Sequence, residues 1–248
     1  MTVDQFIERW QGSGGSEMAT AQSFAIELTE LLGVDRPHVS DKDGDFLDYR
    51  FERPVTETHT GRKKNRRIDL YKKGHFILEA KQFVSPEASD KSTLELFLDK
   101  DAPKQSGPKQ SGHGKRRSAK FDDTMLKARN QADNYARAVA REDGWPPFLL
   151  IVDVGHVIEL YADFSGQGQG YNQFPDGNRY RIALDDLREE ETRALLRAIW
   201  TDPFSLDPSL QSAKVTRDIA AHLAELGKSL EEQGHESEAV ARFLMRCL

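Results

Sequence analysis

The chain has one cysteine in 248 residues, Cys247, so it can form no internal disulfide and no cysteine-based zinc cluster. It has no apolar run approaching the roughly 18 residues that a membrane span requires. The N-terminal stretch MTVDQFIERWQGSGG lacks the basic start and apolar core of a signal peptide. His75, His113 and His156 never pair at metal-ligand spacing. The Gly-rich stretch at 165–178 has no lysine after it and is not a phosphate-binding P-loop. No nucleophile-elbow signature supports Ser/His/Asp catalysis. These absences leave a cytoplasmic protein with no membrane partner. At 38% hydrophobic and 31% charged residues, it is long enough for one sizeable domain plus an appendage.

The net charge of −6 conceals a strong asymmetry. Residues 57–120 carry 16 Lys/Arg against 8 Asp/Glu, and the remainder carries 19 against 33. A basic middle on an acidic body can hold phosphates locally despite the negative total; a solvated basic loop would give the same counts.

Hydrophobic periodicity predicts the element order. Residues 16–32 read as an amphipathic helix through Met18, Ala21, Phe24, Ala25, Leu28, Leu31 and Leu32, ended by Gly33 and Pro37. Alternation over 46–52 predicts a half-buried strand, and 67–72 and 76–83 predict two more, joined at Lys73-Gly74. Along 76–83, Phe76, Leu78 and Ala80 share one face, while Ile77, Glu79 and Lys81 share the other. Residues 85–120 are polar and basic, with a repeated K-Q-S-G, and read as a flexible insertion in which Leu94–Leu98 forms at most a short helix. A helix follows from Asp123 to Arg141, then strands at 148–152 and 156–161, the Gly-rich loop, a strand at 180–184 and a helix ending near Trp200. This order predicts an α/β fold, a mixed central sheet flanked by helices, over residues 1–200. Residues 201–213 read as a connector. Val215, Ile219, Leu223, Leu226 and Leu230 then mark another amphipathic helix. The last helix stops in mid-pattern at Leu248, which predicts a chain that continues, rather than a native terminal helix docked on the core.

The chemistry concentrates in RRIDLYKKGHFILEAKQF. Asp69 and Glu79 lie on adjacent predicted strands, and Lys81 follows Glu79 on the same face. Magnesium takes hard oxygen ligands and needs only one or two protein carboxylates. Asp69 and Glu79, with the Ala80 carbonyl, form such a set. Lys81 would orient water or offset charge growing on a phosphate. The alternative is a cross-strand ion pair, worth about 0–1 kcal/mol if exposed. It leaves unexplained why three charges cluster in the least polar strands. The clusters Arg62, Lys63, Lys64, Arg66, Arg67 and Lys115, Arg116, Arg117 suit phosphate contacts, which give affinity without sequence specificity.

Asp69, Glu79 and Lys81 resemble the signature of the PD-(D/E)XK nuclease superfamily, with Ile68 where the name has proline. The resemblance implies a restriction-endonuclease-like fold, Mg²⁺ as cofactor and phosphodiester hydrolysis in double-stranded DNA. It also implies an acidic contribution from an early helix, matched by Glu17, and a Q-x-x-x-Y helix, matched by Gln131 and Tyr135. A favourable charge at a helix N-terminus would equally account for Glu17, and core packing for Tyr135. More widely, G-x-S-E-x-x-x-x-Q-x-F, R-x-I-D-L-Y, E-A-K, R-N-Q-A-x-N-Y-A-R and I-W-x-D-P-x-S-L-D-P together are similar to the N-terminal region of bacterial Type IIG/IIL fused restriction–modification enzymes and of related phage-defence adenine methyltransferases. In that family the nuclease precedes a helical connector, an S-adenosylmethionine-dependent methyltransferase domain and a target-recognition domain. Residues 201–248 would then begin the connector. This stretch has no F-x-G-x-G or N-P-P-[YF] motif, so the methyl donor belongs only to the downstream domain. Cutting both strands raises a second copy as a further partner. The competing reading keeps the fold but makes it a non-cleaving DNA-binding or docking module of an adenine-specific methyltransferase.

Overall fold

The computed structural model describes residues 1–11, 17–38, 48–59, 62–81 and 119–246. They form two compact units, Met1–Pro203 and Phe204–Leu248. The first unit is built on a seven-stranded mixed sheet with helices on both faces, as the element order predicts.

The strands are β1 (Tyr49–His59), β2 (Arg62–Lys72), β3 (Phe76–Lys81), β4 (Phe148–Asp153), β5 (Val157–Ala162), β6 (Asn172–Gln173) and β7 (Arg181–Ala183). The sheet runs β1-β2-β3-β4-β5-β6, with β7 also paired to β5. Among the named strands β3 and β4 pair in parallel, and the other neighbours are antiparallel. A parallel neighbour needs a crossover, and α3 (Ala119–Asp143) supplies its helix. Every residue of β4 and β5 is buried, as expected of central strands covered on both faces.

Alternation sorts the two layers. Ile77, Tyr71, Leu149, Ile151, Val157 and Tyr161 lie under α3, packed against Phe121, Met125, Ala128, Ala132, Tyr135, Ala136 and Val139. The opposite face carries Phe76, whose ring lies 4.4 Å from Trp200 on α4 (Glu190–Thr201). Trp200 Nε1 donates to the Tyr49 hydroxyl at 2.8 Å. α2 (Glu17–Leu32) completes this layer, with Arg197 of α4 donating to the Leu32 carbonyl at 3.0 Å. Its end is set by Gly33, which takes the left-handed φ of 67° that closes a helix.

Several elements differ from the sequence reading. A first helix, α1 (Val3–Trp10), was not anticipated. Thr2 and Gln5 cap each other's backbone N–H groups there, and Phe6, Ile7 and Trp10 are buried, with the Phe6 and Trp10 rings against Phe24. β1 and β2 each run 11 residues, well past the short strands expected. The charged tract KKNRR hides its alternation, and cross-strand pairing with β1 extends it. Leu94–Leu98 and most of the basic insertion, including Lys115, Arg116 and Arg117, lie outside the described residues.

The second unit pairs α5 (Pro208–Glu232) with α6 (Ser237–Met245). Asp207 caps α5 by accepting from Ser209 N–H at 2.8 Å. Gly227 sits where a Cβ would meet Leu244 at 3.1 Å, so a hydrogen there lets the helices approach. The apolar stripe expected to bury α5 is largely open: Val215 is 56% exposed and Ile219 49%.

Candidate active site

β2 and β3 pair at Lys72↔Phe76, Tyr71↔Ile77 and Leu70↔Leu78, and the pairing ends there. Asp69 and Glu79 occupy the next rung, where the two strands begin to part. Asp69 Oδ2 accepts the Ala80 N–H at 2.8 Å, so a side chain takes over where the backbone ladder stops.

The outer strand is irregular at the same level. β1 pairs with β2 at Phe51↔Leu70 and Arg53↔Ile68, and Glu52 between them has a φ of 53°. A non-glycine residue in the left-handed region is uncommon and carries backbone strain. Tyr71 and Ile68 differ in parity yet share the core under α3, so the ribbon changes face between them, at Asp69.

Glu79 is 1% exposed and faces α3. A buried carboxylate needs partners. Its Oε1 accepts from Lys81 Nζ at 2.8 Å and from Gln131 Nε2 at 2.6 Å. The other Gln131 N–H goes to the Tyr135 hydroxyl at 2.8 Å. The i, i+4 spacing on α3 puts both side chains on the helix face that meets β3. Lys81 keeps 23% of its side chain exposed, so its ammonium reaches from the carboxylate towards solvent.

These groups line one cleft of about 960 Å³. Asp69, Glu79, Ala80 and Lys81 form its floor. Gln131 and Tyr135 of α3 form one wall, and Ala21, Gln22 and Ala25 of α2 another. Asn65, Arg66 and Arg67 extend it along β2, with Glu52 opposite and 3.7 Å from an Arg67 guanidinium nitrogen. Lys64, Arg66 and Arg67 are exposed. Arg62 and Lys63 belong to β2 and Glu17 opens α2, but their side chains lie outside the described residues. Tyr135 is 1% exposed: its ring packs in the core and its hydroxyl meets Gln131.

The donor set at Asp69, Glu79 and the Ala80 backbone is all hard oxygen, which fits Mg²⁺. Among the described residues no group of three or more His, Cys, Asp or Glu side chains forms a cation cage. A cation here would therefore draw remaining ligands from water and substrate, as magnesium commonly does.

Gln22, Glu52, Thr56 and Asn65 are polar cleft residues for which sequence alone suggested no role. Gln22 had a faint signal, being a polar residue set between Ala21 and Ala25 on a half-buried helix face. Glu52 had none, because a positive φ is invisible in a strand pattern. Glu159, by contrast, is buried and satisfied by Tyr161 at 2.9 Å and Arg181 at 2.6 Å, so it is not part of the cleft.

A family model described as the MmeI N-terminal domain matches residues 1–233. No curated protein and no solved structure matches the chain. Among the described residues no helix is long and apolar enough to cross a membrane.

Proposed function

From the premise that this chain belongs to the MmeI N-terminal domain family, we propose that it is the nuclease domain of a bacterial restriction–modification or phage-defence protein. It hydrolyses phosphodiester bonds of double-stranded DNA with Mg²⁺ and has the PD-(D/E)XK type of site. The observation that carries this reading is the convergence of Asp69, Glu79, Lys81 and Gln131 on one cleft with a basic rim.

Asp69 and Glu79, with the Ala80 carbonyl, would hold the cation. Bound there, Mg²⁺ supplies a Lewis acid and lowers the pKa of a coordinated water. The chain's own groups do the rest. The Ala80 N–H fixes Asp69, and Gln131 fixes Glu79, so both carboxylates are oriented before substrate arrives. Lys81, anchored at Glu79, offsets negative charge developing on the phosphate. Lys64, Arg66 and Arg67 grip the DNA backbone and set its register without reading bases. Methyl transfer and target choice belong to domains downstream.

Plasmid nicking by the full-length protein tests the reading. Wild type is expected to nick in Mg²⁺, and Lys81→Ala and Asp69→Asn to lose cutting by at least about 10²-fold while still binding DNA. Binding without cutting in Mg²⁺ or Mn²⁺ would replace this reading with the non-cleaving module. Failure to bind DNA would leave a docking role.

A further inference from the structure

The two walls of the cleft are not equivalent. On α3 both N–H groups of Gln131 are committed, one to Glu79 and one to Tyr135. On α2 the lining residues are Ala21, Gln22 and Ala25. The alanines are buried and offer no hydrogen bond. Gln22 is half-buried, and among the described residues nothing hydrogen-bonds its amide. A long polar side chain lining a cleft that also holds two carboxylates and a lysine is placed to meet a ligand.

The chemistry of a phosphodiester decides which half of the amide is used. Its non-bridging oxygens only accept hydrogen bonds, so the Gln22 Nε2–H is the useful group. A neutral donor also suits this wall. A lysine would compete with a cation at the carboxylates, and a glutamate would repel the phosphate. We infer that Gln22 donates Nε2–H to a non-bridging oxygen of the scissile phosphate, from the wall opposite Gln131, and strengthens that bond as negative charge grows there. The inference rests on the nuclease reading above. Hydrolysis adds hydroxide from water to phosphorus, breaks one phosphorus–oxygen bond to a sugar, and delivers the water's other proton to the departing sugar oxygen. The amide changes neither the atom nor the proton balance; it stabilises charge.

The test uses the full-length protein with Gln22→Met, Gln22→Asn and Gln22→Glu. Single-turnover cleavage is measured at saturating DNA in Mg²⁺, and DNA affinity is measured separately in Ca²⁺. Methionine keeps the shape without the donor, so the cleavage rate should fall on the order of 10²-fold with affinity unchanged. Glutamate, which keeps only acceptors, should fall at least as far, and asparagine should fall less than methionine. Wild-type cleavage by the methionine variant overturns the inference. So does full activity with glutamate, or a loss of rate that tracks a loss of affinity and thermal stability. Wild type that binds DNA but never cuts overturns the nuclease reading and this inference together. Cutting by wild type that methionine leaves untouched overturns only the role of Gln22.

Discussion

Gln131 is the residue on which the site's order turns. One amide group ties the carboxylate of β3 to the phenol of Tyr135, and both partners are nearly inaccessible to water. Gln131→Leu keeps the volume but removes one hydrogen-bond donor from each of two buried acceptors, while Lys81 still donates to Glu79. We expect a loss of about 1–3 kcal/mol of stability, read by urea unfolding of the chain. Cleavage by the full-length protein should fall more than DNA affinity, because Glu79 would lose its fixed orientation. The glutamine was readable from sequence as half of an i, i+4 pair. That its partner is a carboxylate 52 residues away was not, since no periodicity reports a contact between a helix and a strand so distant in the chain.

At the scale of elements, α3 and the β1–β2 ribbon must hold a common register, because one carries Gln131 and the other Asp69. The fastening lies at the far end of α3. Asp143, its last residue, pairs with Arg53, accepts from the Tyr71 hydroxyl at 2.9 Å and lies 3.3 Å from Lys73 Nζ. Arg53 also stacks 4.2 Å from the Tyr71 ring centroid. Both partners of the central pair are largely buried, so Asp143→Ala leaves the Arg53 guanidinium with only the exposed Glu142, 3.3 Å away, as counter-ion. The expected loss is about 2–3 kcal/mol, seen as a lower urea midpoint. Desolvation pushes the Asp143 carboxyl up, but the bonds from Arg53, Tyr71 and Lys73 outweigh it and hold it below its ordinary 3.8. A depressed carboxylate contributes fully above that value and loses its contribution as pH falls through the folded one. The stability gap between wild type and Asp143→Ala should therefore narrow below about pH 4.

The loop after β5 is fastened differently. Gly168 has a φ of 66°, and a Cβ there would lie 2.2 Å from the Trp145 ring. Gly168→Ala should cost about 1–3 kcal/mol through overpacking, with a lower melting temperature as the readout.

Across the whole molecule, charge and cohesion are divided. The acidic total sits with an exposed basic ribbon of Lys64, Arg66 and Arg67 at the cleft. Replacing these three by glutamine should reduce the slope of log affinity against log salt by about 2–3, measured by DNA titration at several salt concentrations. Met1–Pro203 carries its own core, closed by Trp200 between Phe76 and Tyr49. Residues 1–203 should therefore fold alone with a cooperative melt. A cut at residue 195 removes Ile199 and Trp200 from the interior and should abolish that melt.

Alternation and composition were enough to read the mixed sheet, the covering helices and the face shared by Ile77, Glu79 and Lys81. Those features repeat every two or 3.6 residues and follow from where side chains point. The first helix is encoded locally too, by Thr2 and Gln5 at capping-box spacing and by Phe6 and Trp10 one helical turn apart. The strand parting at Asp69, the left-handed Glu52 and the meeting of α2 with α3 across the cleft depend on contacts far apart in the chain. Packing settles those, because only in three dimensions do backbone ladders end, side chains replace them, and polar groups find the partners that let them be buried.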